Sequence, residues 1–429
     1  MSEATNAKQK TTSILDDIFT AYSGPPFVIQ MWDGSSWSSD EHQKPRFTMN
    51  LNHAGALKKM FMPPSELSLG EAYIYGDFDL EGDIFQSLEI ADHVQNQDWT
   101  WWEKMRTAWK LWTLPGTGRA PTAKHAAQLK GEKHSLSRDK QAISYHYDVS
   151  NEFYALWLDK YLNYSCAYFS RENYDIHQAQ EEKMDYVCRK LRLNPGEHLL
   201  DIGCGWGGQI IYAAKHYGVE ALGITLSKNQ VELARKRIRE EGLQDVCRVE
   251  LMDYRKIPAD QKFDKIVSVG MVEHVGEEKL APYFQQAYRL LKPAGLFLNH
   301  GIAATYNDPN RGNMDNSFSD KYVFPDGELV LINTMLRYAE AAGFEVRDVE
   351  SLREHYARTL QHWVSRLENR YEQAREFVSE TTYRIWRLYM SASARGFQVG
   401  RLNIYQSLLA KQAVEGVSSH PMTRADLYE

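Results

Sequence analysis

The sequence predicts an α/β protein: a doubly wound, mostly parallel sheet preceded by a small α+β domain. Three observations carry this expectation. From Ser144 onward, short apolar runs alternate with amphipathic helical stretches. One of these runs, "LLDIGCGWGGQ" from Leu199, passes from a strand through a glycine-rich turn into a helix. Ahead of them, residues 14–92 mix β-patterned runs, turn signals and a helix. A length of 429 residues allows two or three domains at roughly 100–200 residues each. The expected division is 1–95 for the small α+β domain, 96–140 for a Trp-rich basic helix and linker, and 141–429 for the larger α/β domain.

In chain order, "PPFVIQMWDGSSW" reads as a strand, a turn at Asp33-Gly34 and a second strand. "EAYIYGDFDLEGD" alternates apolar and polar residues between turn signals, and "IFQSLEIADHV" reads as a helix. In the larger domain, "EHLLDIG", "EALGIT", "CRVELMDY", "FDKIVSVG", "LFLNHGI" and "EVRDVES" read as strands. Between them lie helical stretches such as "SKNQVELARKRIREEG", opened by a Ser cap and closed by Gly. A long helical stretch runs from Tyr356 to about Met390, and "GRLNIYQSLLA" fits a closing strand.

Composition narrows the function. A net charge of −7 argues against general nucleic-acid binding. The four cysteines, Cys166, Cys188, Cys204 and Cys247, match no zinc spacing and no disulfide framework, so no metal site is expected. Reduced thiols, a polar N-terminus without an apolar core and no apolar run of spanning length suggest a cytoplasmic protein. The segment "DWTWWEKMRTAWKLW" holds five of the eleven Trp. Between Trp101 and Lys140 stand nine Lys/Arg against three acids. A basic, Trp-rich helix suits an interfacial membrane anchor. It equally suits a helix that packs its indoles on a neighbouring element.

The glycine-rich turn puts Gly203, Gly205 and Gly208 in the register of a dinucleotide fingerprint. Two features point away from a dinucleotide. Asp201 precedes the first glycine, where it would face an amino group rather than a pyrophosphate. The second strand ends in "GITLSKNQ", with no acid to hold a ribose. The turn resembles the first motif of Rossmann-like S-adenosylmethionine methyltransferases.

Further motifs sharpen the resemblance. "HYDVSNEFYALWLD", "YSCAYFS", "LLDIGCGWGG", "GITLSKNQ", "IVSVGMVEHVG", "LNHGI" and "REHYARTLQHW" follow one another in this order. Together they resemble the cyclopropane-fatty-acyl-phospholipid synthase family, which includes the mycolic-acid cyclopropane synthases. "YIYGDFDLEGD" is similar to the N-terminal lipid-binding domain of the phospholipid enzymes. The resemblance implies methylenation of cis double bonds in unsaturated phospholipid acyl chains, with S-adenosylmethionine as donor. It implies cofactor contacts from Tyr147, Tyr164, Ser165, Asp201, Gly203, Gly205, Thr225, Leu226, Gln230 and Gly270. Tyr254, where relatives often have Trp, would keep an aromatic face near the adenine. The implied partner is a bilayer surface, approached from the cytoplasm; a homodimer is left open.

Methyl transfer to an alkene leaves a carbocation, and ring closure then requires loss of a proton from the new methyl. Such a site needs a dry aromatic pocket and one base. In the family that base is a bound bicarbonate. The matching positions here are Cys166, Glu273, His300, Ile302 and Tyr356. On this reading Cys166, which by itself reads as nucleophile, metal ligand or core, helps hold an anion. One departure is "NHG", at Asn299 and Gly301, where relatives commonly have an "HT" context. Two alternatives stand beside ring formation: a fatty-acid C-methyltransferase leaving a methyl or methylene branch, and a non-catalytic lipid-binding protein on the same scaffold.

Overall fold

Short β-patterned runs near the N-terminus form a four-stranded sheet: β1 (Phe27–Gln30), β2 (Ser36–Ser38), β3 (Phe47–Leu51) and β4 (Phe78–Gly82), in the order β2-β1-β3-β4. The computed structural model describes residues 3–95, 98–116, 126–127, 129–147, 150–306, 317–413 and 420–428. Part of the expected linker, 117–125, lies outside them, as does the side chain of Tyr147. Gly34 turns the chain between β1 and β2 with φ +84°, a conformation that costs glycine nothing. Among the described residues, the helices that flank these strands in sequence are α1 (Glu3–Phe19), α2 (Ala56–Phe61), α3 (Glu66–Ile74), α4 (Ile84–Gln95) and α5 (Trp101–Trp112). The run "EAYI", which alternates like a strand, instead ends α3, whose Ser65 cap accepts from Ser68 N–H.

This first unit comprises 1–126 and two later segments, 316–323 and 379–395. The sequence-based division places both later segments in the 141–429 domain. Ion pairs tie them to the first unit instead: Lys321 to Glu71 at 2.6 Å, Arg384 to Asp79 at 2.5 Å and Arg395 to Asp92 at 3.0 Å. Such pairings join residues hundreds of positions apart, which no local pattern reveals.

Within the first unit α5 packs through Thr107 and Leu111, its only buried residues. Lys110 donates to Asp17 at 2.5 Å and Ser13 at 2.8 Å on α1, and Lys58 on α2 donates to the carbonyls of Trp112 and Leu114. A capping box between Thr100 and Glu103 starts the helix. The indoles are not the packing side: Trp101, Trp102, Trp109 and Trp112 are 61, 75, 66 and 66% exposed.

The second unit holds β5 (His198–Ile202), β6 (Glu220–Thr225), β7 (Cys247–Leu251), β8 (Phe263–Val269), β9 (Leu291–Ala304), β10 (Glu345–Ser351) and β11 (Leu402–Ala410). They form one sheet in the order β10-β11-β9-β8-β5-β6-β7. The five strands from β7 to β9 run parallel, and β11 enters antiparallel between β9 and β10. The sheet is buried on both faces. Leu199, Val267 and Leu298 contribute to one core layer; Leu200, Ile266 and Phe297 contribute to the other. This is the near-continuous apolar pattern of a doubly wound sheet. The strand order reverses at β5, whose neighbours are β6 and β8. Ligand crevices form beyond the carboxyl ends of strands at such a point.

Candidate active site

Beyond the ends of β5, β6 and β8 lies one cleft. Tyr164, Ser165, Asp201, Gly203, Gly205, Thr225, Leu226, Gln230, Tyr254 and Gly270 all line it. Sharp turns bring them there. Gly203 and Cys204 both donate backbone N–H bonds to Ile224 O at 3.0 Å, folding the loop back over β6. Gly205 and Gly270 have φ of +54° and +69°, and a Cβ at either would enter open space. A flat ligand can therefore approach bare backbone from two sides. Thr225 Oγ1 donates to Gln230 Oε1 at 2.6 Å, so these two fix each other.

Sequence reasoning missed Lys183, which also lines the cleft and is 2% exposed. Its ammonium donates to Asn163 Oδ1 at 3.3 Å and Ser165 Oγ at 3.2 Å. The signal was there: Lys183 falls on the buried stripe of the helix Ile176–Leu191, beside Gln180, Met184 and Val187. A charge at a core position requires a reason. Burial raises the Asp201 carboxyl to about 7, with Lys183 opposing the shift. Asp201 Oδ1 is buried without a hydrogen-bond partner. An unpartnered carboxylate oxygen and a buried ammonium match the two charges of an amino-acid zwitterion, the methionine end of S-adenosylmethionine.

The second predicted set, Cys166, Glu273, His300, Ile302 and Tyr356, does not line this cleft. It lies behind it. Gly270 N–H donates to His300 O at 2.8 Å, joining the cleft wall to β9. Glu273 sits on the turn after β8, where Oε1 accepts from Ile302 N–H at 2.7 Å. That amide is thereby engaged. Gly301 lets the turn come this close, because a Cβ there would stand 2.3 Å from Val272 Cγ1. Asn299, the other departure from the family pattern, is a core residue that accepts from Tyr283 Oη at 3.0 Å. Cys166 Sγ reaches Leu352 O at 3.8 Å, and Tyr356 N–H donates to the same carbonyl. Leu352 N–H in turn bonds Ile404 O, and Ile404 pairs with Ile302 across β9 and β11. Tyr164 bridges the sets: it lines the cleft and packs on Trp363, which packs on Tyr356.

The proton inventory of this second set is unusual. Burial pushes the Cys166 thiol up, so it stays protonated. Burial, with Lys183 and Lys190 adding to it, lowers His300 to about 3, so the imidazole is neutral. Gln406, unnoticed in the sequence, places its amide nitrogen 3.3 Å from His300 Nδ1. With that nitrogen accepting, Nε2 carries the hydrogen. Burial raises Glu273 to about 7, against the opposing bond from Ile302. Glu273 Oε2 and His300 Nε2 are both buried without a partner. Below pH 7 the Glu273 carboxyl and the His300 imidazole N–H are two uncharged donors without partners, and they suit an anion; the Cys166 thiol beside them directs its hydrogen at the Ala167 carbonyl, 3.3 Å away.

The Glu273 shift has a consequence for stability. The folded carboxyl holds its proton up to about 7, whereas the ordinary value is 4.5. Its contribution is complete below pH 4.5 and is lost as pH rises through 7, on the order of 3 kcal/mol in all. Glu273→Gln does not titrate and escapes this loss. The melting temperature of the variant minus that of the parent should therefore rise from pH 5 to pH 8 in bicarbonate-free buffer. A difference that stays flat across this range rules out the buried, raised carboxyl.

Comparison with known proteins agrees with this architecture. Residues 134–407 match the family model described as mycolic acid cyclopropane synthetase, and residues 14–100 match a domain of unknown function. A probable fatty acid methyltransferase of Pseudomonas putida is 41% identical over 404 residues, covering 94% of this chain and 96% of its own. Cyclopropane mycolic acid synthase 3 of Mycobacterium tuberculosis is 36% identical over 278 residues, covering 63% of this chain and 96% of its own. Among solved structures, the cyclopropane synthase MmaA2 of M. tuberculosis superposes with a TM-score of 0.60 at 34% identity, over 66% of this chain and all of that one. The mycolic acid cyclopropane synthase CmaA1, complexed with SAH and CTAB, also gives 0.60, at 35% identity, over 63% and 98%. The chain belongs to the mycolic acid cyclopropane synthetase family of S-adenosylmethionine-dependent methyltransferases.

Proposed function

We propose that this methyltransferase adds a methylene unit across a cis double bond in an unsaturated phospholipid acyl chain and so forms a cyclopropane. The observation that carries the reading is the pair of buried, unpartnered groups, Glu273 Oε2 and His300 Nε2, joined to the cleft wall through the Gly270–His300 bond, with the buried Cys166 thiol completing the expected set. These residues would hold bicarbonate, with Ile302 acting through Glu273 and Tyr356 closing the far side. The bicarbonate would supply the base for the final proton.

The alkene π pair forms a bond to the sulfonium methyl carbon as the carbon–sulfur bond breaks. The sulfur keeps that electron pair and leaves as S-adenosylhomocysteine. The other alkene carbon is then a cation. Asp201 and Lys183 orient the amino-acid end of the donor, and Tyr254 offers its ring to the adenine. Tyr164, Trp363 and Tyr356 present aromatic faces that exclude water and favour the cation. Loss of a methyl proton frees the C–H pair to close the ring. The reading places the enzyme on the cytoplasmic face of a phospholipid bilayer, where such chains lie. Among the described residues no helix is long and apolar enough to cross a membrane.

The test is purified enzyme with S-adenosylmethionine and vesicles of unsaturated phosphatidylglycerol, followed by mass spectrometry of the released fatty acids. The expected result is S-adenosylhomocysteine formation with an acyl gain of one CH₂, and no turnover on fully saturated lipid. Methyl transfer to a headgroup amine with unchanged acyl chains overturns it. A second reading, a methyl- or methylene-branched product, is supported by the name of the Pseudomonas putida relative, a probable fatty acid methyltransferase that spans nearly the whole chain.

A further inference from the structure

We propose that the outer face of α5 docks this chain onto an anionic lipid surface, with four indoles as the anchor. The proposal deepens the reading above, in which the acyl substrate lies in a bilayer. At 100° per residue, Trp101, Trp102, Met105, Ala108, Trp109 and Trp112 fall within one stripe of about 120°. All six are exposed. The opposite side carries Thr107, Lys110 and Leu111, the residues turned toward α1 and α2. The stripe therefore faces away from its own unit.

Its chemistry selects the occupant. Indoles pair a broad apolar ring with an N–H donor, which suits the headgroup boundary better than a dry core. Lys104 and Arg106 border the stripe on its two sides, and both are exposed. Arg106 reaches Asp17 at 2.9 Å while its side chain stays 58% open. The one acid of the helix, Glu103, is held in the N-terminal capping box. The face thus presents cations around an aromatic centre in a chain of net charge −7. A two-fold pairing of this face with a second copy would bring Lys104 and Arg106 of each copy toward those of the other, at an electrostatic cost. An anionic bilayer meets the same two cations with opposite charge.

The test compares the full chain with Trp101→Ala/Trp102→Ala/Trp109→Ala/Trp112→Ala on vesicles of phosphatidylcholine and phosphatidylglycerol. The variant should partition more weakly by on the order of a hundredfold. The parent should release progressively as salt rises from about 0.05 to 0.5 M. Brominated acyl chains should quench its Trp emission. The melting temperature should not change, because the deleted side chains are exposed. Methyl transfer to acyl chains in detergent micelles should persist in the variant while transfer in vesicles falls. Equal vesicle binding by parent and variant overturns the proposal. So does a parent dimer that the variant dissolves, or a lowered melting temperature with unchanged binding; these mark an interface or a packing face. If docking is lost as expected but no acyl product forms in either protein, the docking face stands and the chemical reading falls.

Discussion

Glu273→Gln should lower kcat by roughly a hundredfold to ten-thousandfold while the affinity for S-adenosylhomocysteine changes less than about threefold. The expected split follows from position. Glu273 does not line the cofactor cleft, although its neighbours Met271 and His274 do. A carboxamide keeps the shape of the side chain and can still accept the Ile302 N–H bond. The amide can also donate to a bound bicarbonate, but it cannot take on the proton that bicarbonate removes, and a carboxyl raised to about 7 can do so at neutral pH. Cys166→Ser should be milder, about tenfold, since a hydroxyl still donates a hydrogen bond and the buried thiol is not ionised. Rapid-quench turnover and calorimetric titration measure the two arms separately. A Glu273→Gln enzyme of near-parent rate would remove Glu273 from the proton-handling set. Equal loss of rate and affinity would instead mean that the turn after β8 had collapsed into the cleft.

The parts of this site that were legible in the sequence are the local ones. The turn from β5 into its helix shows itself because glycines, an acid and an apolar strand occur together within a few residues. The five parallel strands show through their apolar runs. Lys183 was hidden because a lysine in a charged helix reads as surface, and only the stripe shared with Met184 and Val187 betrays it. Gln406 was hidden for a different reason. Its place opposite His300 depends on β11 pairing antiparallel with β9, more than a hundred positions away in sequence. The helix α1 escaped notice because its polar first half masks Ile14, Leu15, Ile18 and Phe19, whose helical spacing buries them. The engagement of Ile302 N–H by Glu273 is a fact of geometry that matching motifs do not contain.

The product should be a cyclopropane acyl chain, heavier than its parent by one CH₂ and resistant to catalytic hydrogenation. The cation left by methyl transfer has three outlets. Proton loss from the new methyl closes a ring. Proton loss from the neighbouring chain carbon leaves a methyl-branched alkene. A hydride shift followed by proton loss leaves a methylene branch. Which outlet wins depends on where the base sits relative to the new methyl, and about 1 Å of displacement is enough to change rates a hundredfold. In this chain every side chain expected to hold that base is present and buried: Cys166, Glu273, His300 and Tyr356. Two of them offer unpartnered atoms, Glu273 Oε2 and His300 Nε2. The link from Gly270 to His300 joins this set to the wall of the cofactor cleft. Hydrogenation followed by mass spectrometry separates the outcomes, because a ring keeps its mass under mild conditions and a branched alkene gains two hydrogens. Uptake of hydrogen by the whole product would assign the chain to the branching chemistry that the name of its Pseudomonas putida relative suggests. It would leave the cofactor cleft intact and move the base toward the chain carbon, which mapping with a substrate deuterated beside the double bond would then locate.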